Sequence, residues 1–219
     1  MIEGQRYVLW GSAGHAKVLD EAIRRRGGRV IALFDNSPEV ISSIAHVPLL
    51  GATDAFLAWV NARSDAKDLC GLVAIGGSRG RERLNLQSLM ALHGLRIQPL
   101  IHPQAFVADN AELGAGSQVL ASAVVAVDVR IGAACIVNHN ASIDHECQIE
   151  DGVHVAPGAT LCGCVHVEAN AMIGAGAVVL PRVHVGTGSI VGAGAVVTRD
   201  VIDGVIVVGK PATVLRRLP

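Results

Sequence analysis

The sequence has few aromatic residues, and its second half has none over a long stretch. Of 219 residues only six are Phe, Trp or Tyr, and residues 107–201 contain no Phe, Trp, Tyr or Lys. Aromatic rings supply much of the apolar area buried in most protein cores. Their absence over so long a stretch predicts a narrow interior that is filled by small aliphatic side chains.

Other absences exclude whole classes of protein. No apolar run reaches membrane-spanning length, and the first residues lack the basic-then-apolar pattern of a secretory signal, so a cytoplasmic location is expected. Eighteen Lys and Arg against nineteen Asp and Glu leave a formal charge of -1. This balance argues against nucleic acid or an anionic membrane as the main partner.

Cysteines are also few, and their positions indicate packing more than chemistry. Cys135 and Cys147 fall on small-residue positions of the repeat described below and are interpreted as buried packing residues. The pair Cys162-Gly-Cys164 has no second pair elsewhere, so it is a weak indication of metal or redox chemistry. No metal is expected.

The second half of the chain has a strict period of six residues. Steps of six from Val107 meet Val, Ile or Leu sixteen times in succession, which fits neither a helix nor an alternating strand. These positions, called rungs below, are Val107, Leu113, Val119, Val125, Ile131, Val137, Ile143, Ile149, Val155, Leu161, Val167, Ile173, Val179, Val185, Val191 and Val197.

A fixed period of six is typical of a parallel β-helix, in which each repeat supplies one short strand and one corner. Four residues after each rung stands a small or β-branched residue, from Ala111 to Val201, which suits a tight corner. Glycines recur between these positions, as in Leu113-Gly-Ala-Gly116, where a turning backbone needs positive φ. With three repeats per coil, the stretch would form about five stacked coils.

The first hundred residues predict alternating strands and helices instead. Strands are predicted over 7–10, 30–34 and 72–75, and helices over 16–26, 53–61 and 79–92, with Thr53 as the cap of the second helix. We therefore expect a Rossmann-like α/β domain over 1–102 and an all-β parallel β-helix with a C-terminal tail over 103–219. The link between them is Ile101-His-Pro103, where His102 is interpreted as structural.

The order strand, Gly-rich turn, helix, strand, acidic residue predicts a nucleotide site in the first domain. Asp35 follows Gly14 by twenty-one residues at the end of the second strand, and Gly76 follows the third strand. The carboxyl ends of parallel strands share one edge, where open α/β sheets bind ligands. The third glycine of the dinucleotide fingerprint is missing, which disfavours a redox dinucleotide. A tight turn without a ligand is the alternative.

One corner of the repeat contains three ionisable residues in a row, Asp144-His145-Glu146. His145 lies two places after a rung and should point outward. An imidazole there can take a proton from an attacking amine or hydroxyl, and a neighbouring carboxylate can orient it. The alternative is a solvated surface histidine. His139 and His154 are predicted to face the same region, whereas His166 and His184 are predicted to stack on a solvated or subunit-facing edge.

The hexapeptide repeat, the Asp144-His-Glu-Cys147 corner, the Gly11-Ser-Ala-Gly-His-Ala-Lys-Val18 turn and the Ile101-His-Pro103 junction together resemble a known family. It is that of the bacterial sugar O- and N-acyltransferases of the sialic acid O-acetyltransferase type. Within it, the pattern is similar to the acetyltransferases that act on nucleotide-linked 4-amino-4,6-dideoxy sugars. The similarity extends over nearly the whole chain, with both domains in the right order.

The resemblance implies a left-handed β-helix, a homotrimer, and acetyl-CoA bound in the trench between neighbouring prisms. It implies that His145 is the general base and that Glu146 raises its basicity. On the acetyl-CoA side it implies roles for His154, for Gly163 through an oxyanion-binding N–H, and for the backbone of Ala175 and Ala193. The implied nucleotide-sugar positions are Ala13, Gly14, His15, Asp35, Asn36 and Gly76.

The C-terminus departs from the family pattern. Val208-Gly-Lys-Pro-Ala-Thr213 has threonine where the family usually has lysine. Lys210, Arg216 and Arg217 are therefore the candidates for binding the phosphates of CoA.

Taken together, these features predict an acetyl-CoA-dependent N-acetyltransferase of a nucleotide-linked amino sugar, acting by direct attack on the thioester without a metal. Two alternatives stay open. One keeps the fold and makes the acceptor a sugar hydroxyl, as in sialic acid O-acetylation. The other is a non-catalytic nucleotide-sugar sensor or scaffold.

Overall fold

The N-terminal part of the molecule is a three-stranded parallel sheet with helices packed against it. The structure, a computed structural model, describes residues 4–218. The strands are β1 (Arg6–Trp10), β2 (Arg29–Phe34) and β3 (Leu69–Val73), in the order β2-β1-β3. The helices are α1 (Gly14–Arg25), α2 (Thr53–Asn61) and α3 (Gly80–Leu92), with a short 3-10 turn at Ala66–Asp68.

The helices and the first two strands lie within two residues of their predicted bounds, and two other details of this domain differ from the sequence-based prediction. The third strand was predicted over 72–75 but covers Leu69–Val73, because Cys70 and Gly71 interrupt the apolar pattern while still pairing with Tyr7 and Val8. The prediction that Thr53 caps α2 is wrong. Ala52 occupies the cap position, and no side chain caps the helix there.

From Leu100 onward the chain winds into a three-sided parallel β-helix, as the period of six predicts. The first face contains β4 (Leu100–Ile101), β7 (Gln118–Val119), β10 (Ile136–Val137), β13 (His154–Val155), β16 (Met172–Ile173) and β19 (Ile190–Val191). The second contains β5 (Phe106–Val107), β8 (Val124–Val125), β11 (Ser142–Ile143), β14 (Thr160–Leu161), β17 (Val178–Val179) and β20 (Val196–Val197). The third contains β6 (Glu112–Leu113), β9 (Arg130–Ile131), β12 (Gln148–Ile149), β15 (His166–Val167) and β18 (His184–Val185).

Every predicted rung is the second residue of one of these strands and faces the interior, and the predicted parallel β-helix is confirmed. The repeat also begins one step earlier than predicted, since Ile101 is a further rung in β4. This strand ends just before the predicted domain boundary at 102/103. Left-handed winding stays a prediction from the resemblance.

The corners of the coils share one unusual backbone conformation. Residues at every sixth position from 116 to 194, fourteen in all, have φ between 53° and 71°. Only six of them are glycine, although this region favours glycine. Twelve of these fourteen N–H groups donate to a backbone carbonyl of the preceding coil, as Glu146 N does to Val127 O at 3.0 Å. The stacked coils therefore hold even non-glycine residues in the left-handed region.

The three outer faces of the prism differ in character. The outward residues of the third face are charged or polar: Glu112, Arg130, Gln148, His166 and His184. Those of the second face carry no charge: Phe106, Val124, Ser142, Thr160, Val178 and Val196. The first face packs against the N-terminal domain through Leu100, Leu120 and Ile136, which join the core around α1.

A C-terminal hairpin closes the far end of the prism. It consists of β21 (Val205–Gly209), which pairs with β19, and β22 (Ala212–Arg217), which pairs antiparallel with β21. Among the residues that the structure describes, no helix has the length and apolar character needed to cross a membrane.

Candidate active site

His145 and Glu146 form a paired unit at the corner between the second and third faces, called the second corner below. The ring Nδ1 of His145 lies 2.9 Å from Glu146 Oε2. Asp144 Oδ1 accepts the backbone N–H of His145 at 2.8 Å, which fixes the turn. The His145 side chain is 49% exposed, so it can meet a ligand from outside the chain. Glu146 keeps its position because its backbone is held at φ 58° by the coil.

Gly163 lies one coil further along the same corner and contacts the other side of the imidazole. A Cβ added at Gly163 would lie 2.4 Å from Nε2 of His145. Among residues 4–218 the N–H of Gly163 donates to no backbone or side-chain acceptor, whereas its carbonyl accepts from Arg182 N at 3.1 Å. An unused amide therefore stands beside the nitrogen that would receive a proton.

We expect Gly163→Ala to lower kcat by about 10- to 100-fold, because the new methyl group must displace the His145 ring that it would overlap. Stability should change little, because Gly163 has an ordinary negative φ that alanine also adopts. Steady-state kinetics beside a thermal unfolding curve would check this. Ala169→Ser, at a corner residue that follows the third face and lies outside the predicted site, is the matched control. A wild-type kcat in Gly163→Ala would show that Gly163 does not lie against the His145 ring in the active enzyme.

Ala175 and Ala193 lie at a different corner, the first corner, which joins the first and second faces. Both are exposed, and neither N–H donates to an acceptor within the described chain. They stack one coil apart, with Gly194 N donating to Ala175 O at 2.8 Å. Their free N–H groups suit an extended ligand that contains amide groups, which agrees with the predicted contact of these residues with acetyl-CoA. Within one chain, however, Ala175 and Ala193 are not adjacent to His145.

A cavity of about 510 Å³ lies at the carboxyl edge of the N-terminal sheet. Of the predicted nucleotide-sugar residues, Ala13, His15, Asp35, Asn36 and Gly76 line it, together with Trp10 and Arg79. Gly14 does not line it and is instead the first residue of α1. A groove of about 530 Å³ on the third face of the prism contains none of the predicted site residues.

Asp35 shapes this cavity by organising its loops. Its Oδ2 accepts the N–H of Ser12 at 2.7 Å, and its Oδ1 accepts the N–H of Ser37 at 2.9 Å. No side chain caps α1, since Ala13 is its cap residue. The N-terminal N–H groups of this 12-residue helix therefore suit the phosphates of a nucleotide.

His15 and His154 lie where the N-terminal domain meets the first face. His15 Nε2 is 2.7 Å from Gln118 Oε1, and Gln118 Nε2 donates to Val73 O at 2.8 Å. His154 Nδ1 lies 3.3 Å from Gly77 O, and Asn138 Nδ2 lies 3.1 Å from His154 Nε2. These bonds fix a neutral His154 with its proton on Nδ1.

Within one chain, the prediction that His139, His145 and His154 face one region is wrong. Asn138 links His139 to His154, because Asn138 Oδ1 lies 3.0 Å from His139 Nδ1. His145 lies at another corner of the prism. Residues six apart fall at successive corners of a three-sided coil, so His139 and His145 cannot share a corner. The stacking of His166 on His184 is confirmed, with ring centroids 4.7 Å apart.

Burial, with the nearby Arg83 guanidinium acting in the same direction, lowers the pKa of His154 to about 4. Burial also lowers the pKa of His15, against a hydrogen bond that its ring donates to Gln118 Oε1 and that raises the pKa. Both rings are therefore neutral in the folded protein near pH 7.

This lowered pKa predicts acid sensitivity of the fold. The ordinary pKa of histidine is 6.5, so His154 of the unfolded chain becomes protonated as the pH falls below this value. His154 of the folded protein stays neutral until the pH approaches its lowered pKa of about 4. The free energy of unfolding should therefore fall as the pH drops through this window, by about 3 kcal/mol from this residue. Urea denaturation at pH 8 and pH 4.5 would measure it. His154→Gln should lose less over the same range, and equal losses would contradict the assignment.

Three residues that contribute to the candidate site were not predicted from the sequence: Arg83, Gln118 and Asn138. Arg83 resembles any surface arginine of a helix in the sequence, yet it is fully buried against four carbonyl groups. Asn138 follows a rung directly, at a position whose residue type varies from repeat to repeat. The polar pair Asn138-His139 beside a strict aliphatic repeat was the one available indication.

The predicted phosphate-binding candidates lie on the C-terminal hairpin. Lys210, Arg216 and Arg217 are all exposed, as is Thr213. Arg216 pairs with Ile206 and Arg217 with Val205 in the hairpin register. The hairpin thus presents basic groups at one end of the prism.

Family models match both parts of the chain. A PglD N-terminal domain model matches residues 6–86, and a bacterial transferase hexapeptide model (six repeats) matches residues 164–199. A GDP-perosamine N-acetyltransferase of Escherichia coli O157:H7 is 37% identical over 93 residues. That match spans 42% of this chain and 41% of the relative, less than half of either.

Solved structures match over nearly the full length. PerB from Caulobacter crescentus, in complex with CoA and GDP-perosamine, is 36% identical, with a TM-score of 0.86 and 99% of each chain covered. The acetyltransferase domain of PglB from Neisseria gonorrhoeae FA1090, in complex with acetyl coenzyme A, is 32% identical, with a TM-score of 0.85. That alignment covers 97% of this chain and 100% of the PglB domain.

Proposed function

Because this chain belongs to the hexapeptide-repeat sugar acyltransferases with a PglD-type N-terminal domain, we propose that it transfers acetyl from acetyl-CoA to the amino group of a nucleotide-linked amino-deoxysugar. The full-length matches to PerB and to the PglB domain confirm the family and the acetyltransferase class that were predicted from the sequence. The observation that carries the proposal is the His145–Glu146 pair, 2.9 Å apart, beside the open amide of Gly163.

The chemistry follows from this arrangement. Glu146 Oε2 accepts a hydrogen bond from the Nδ1–H of His145, which keeps the ring proton on Nδ1 and leaves a lone pair on Nε2. Nε2 takes a proton from the sugar amine as its nitrogen attacks the thioester carbon. The oxyanion that forms accepts a hydrogen bond from Gly163 N–H. The C–S bond then breaks, and the proton on His145 passes to the CoA thiolate. No covalent enzyme intermediate is needed, because a thioester is already activated.

The N-terminal cavity is the proposed site for the nucleotide. The amides at the start of α1 bind its phosphates, and Asp35 and Asn36 face its ribose or base. A nucleotide diphosphate sugar bound there would extend toward His15 and the first face.

The catalytic corner and the nucleotide cavity belong to different sides of one chain. The nucleotide cavity lies next to the first face, as does His15, and Ala175 and Ala193 lie at the first corner. His145 and Gly163 lie at the second corner, on the opposite edge of the second face. That second face is uncharged and leaves Phe106 60% exposed. We propose that a homotrimer covers these faces and brings the second corner of one chain to the first corner of the next. Each active site then uses two chains.

Mixed assemblies would test this sharing. Ala13→Trp fills the nucleotide cavity and His145→Asn removes the base, so each variant alone should be inactive. Subunits mixed at random by co-expression should recover about a quarter of wild-type turnover, since a site needs one intact group from each of two chains. No recovery, from mixtures shown to contain both chains, would place the whole site in one chain.

A substrate panel would test the activity itself. The protein is incubated with acetyl-CoA and UDP-, GDP- or dTDP-linked 4-amino-4,6-dideoxy sugars, and released CoA thiol is measured. We expect turnover with at least one of them and an N-acetylated product by mass spectrometry. Turnover only with a sugar that has no linked nucleotide and offers a hydroxyl group as the acceptor would favour O-acetylation. Binding of a nucleotide sugar without turnover of any acceptor would favour a non-catalytic sensor.

A cytoplasmic location remains part of the proposal. It is supported by the use of acetyl-CoA, and fractionation of the producing cells would test it.

A further inference from the structure

We propose that His145, Glu146 and Cys164 together bind a thiophilic divalent cation, with Zn²⁺ the best fit, and that this binding inhibits the enzyme. One ligand atom from each residue lies within 4.8 Å of the other two. The set combines an imidazole, a carboxylate and a thiol, which is the mixture of nitrogen, oxygen and sulfur ligands that zinc accepts.

The distances suit a tetrahedral ion. His145 Nδ1 is 2.9 Å from Glu146 Oε2, and Cys164 Sγ is 3.7 Å from the same oxygen. Ligands at zinc bond lengths of about 2.0–2.3 Å stand about 3.3–3.6 Å apart in a tetrahedron. The observed distances lie on either side of this value, so small side-chain rotations reach it. Water can fill the fourth position.

The backbone fixes this arrangement before any ion arrives. Glu146 and Cys164 are eighteen residues apart and occupy equivalent positive-φ positions in successive coils. Cys164 N donates to His145 O at 2.9 Å, which locks the two coils together at this corner. Zinc binding would thus require little ordering of the chain.

Cys164 differs from the other cysteines of the prism. Cys135 and Cys147 are buried, their thiols donate to carbonyl groups, and burial raises their pKa to about 12 and about 11. Cys164 is half-exposed and its thiol lies against a carboxylate. Cys162 is equally accessible but is not part of the cluster, so it provides a matched control.

Inhibition follows from the tautomer of His145, and this step rests on the proposed function. Catalysis needs the proton on Nδ1 and a lone pair on Nε2. A cation bound to Nδ1 takes the lone pair of that nitrogen, so the single proton of the neutral ring must move to Nε2, and Nε2 can then no longer accept a proton from the amine. Glu146 is occupied at the same time.

Binding is tested first, without reference to activity. Co²⁺ replaces Zn²⁺ as a spectroscopic probe, since a cobalt–thiolate bond gives a near-ultraviolet charge-transfer band. We expect this band in the wild type and in Cys162→Ser, displaced by added Zn²⁺, and we expect it to vanish in Cys164→Ser. A band of equal strength in Cys164→Ser would overturn the site, whether or not the protein proves to be an acetyltransferase.

Inhibition is tested with the acceptor found in the substrate panel. Acetylated product is measured by chromatography, because released CoA itself binds zinc. Cys164→Ser should keep its basal turnover and need about tenfold or more zinc for half-inhibition, since even the loss of an outer-shell partner of a metal ligand typically costs about 10- to 100-fold in affinity and Cys164 is itself a proposed ligand. Cys162→Ser should match the wild type, and Mg²⁺ should not inhibit. Equal zinc sensitivity of wild type and Cys164→Ser would refute inhibition at this corner.

Discussion

His145→Asn is expected to lower kcat by about 10²- to 10⁴-fold, which is the usual contribution of a positioned general base. Asparagine keeps a polar group of similar reach but cannot accept a proton from the amine. The KM values for acetyl-CoA and the nucleotide sugar should change much less, because the cavity and the open amides of Ala175 and Ala193 are untouched. Steady-state kinetics with both substrates varied would measure this.

The substitution Glu146→Gln tests how much the hydrogen bond between Glu146 and His145 contributes to catalysis beyond the contribution of His145 itself. Glutamine preserves the length of the side chain but can present an N–H to His145 Nδ1 in place of an oxygen, so the favoured tautomer is no longer fixed. We expect an intermediate loss of kcat. Full turnover in His145→Asn would remove His145 as the base, even if Glu146→Gln were impaired.

The second large effect is expected at Arg83. Its buried guanidinium donates to Ala134 O and Gly152 O of the β-helix and to Ile75 O and Gly77 O of the N-terminal domain. Burial lowers its pKa to about 10, so it stays charged near pH 7. Arg83→Met would leave four carbonyl groups without this donor and should cost about 2–4 kcal/mol of unfolding free energy.

Arg83→Met should also weaken sugar-nucleotide binding, because Ile75 and Gly76 line the cavity and Arg83 holds their loop against the prism. We expect KM for the nucleotide sugar to rise more than kcat falls, with KM for acetyl-CoA unchanged. Urea denaturation and kinetics would test the two effects separately. Arg81→Met, an exposed arginine on the same helix, is the matched control. Equal stability of the two variants would contradict a bridging role.

Much of the fold could be predicted because its determinants are local in the sequence. A rung every six residues leaves one way to bury Val and Ile, and the order of strands and helices in the first domain follows from apolar runs and glycines. The boundaries of β3 were harder, because Gly71 contributes to a strand without contributing to an apolar pattern.

The site could be predicted only in part, because its geometry depends on which corner each residue occupies. The sequence places His145 and Glu146 side by side, and their contact was predictable. It does not reveal that His154 faces Gly77 of the other domain, or that Arg83 is buried, since both depend on how the domains pack. Spacings of six and eighteen look equally regular in a sequence, yet only eighteen returns to the same corner.

That arithmetic governs how the molecule can change in length. Eighteen residues form one full coil, so removing or inserting eighteen shortens or lengthens the prism while every remaining side chain keeps its face. A change of six would turn all later residues by one face and carry Gly163 away from His145, even though every rung would still be aliphatic. Among descendants of this gene, viable deletions and insertions within the prism should therefore come in multiples of eighteen, apart from loops that bulge from a corner.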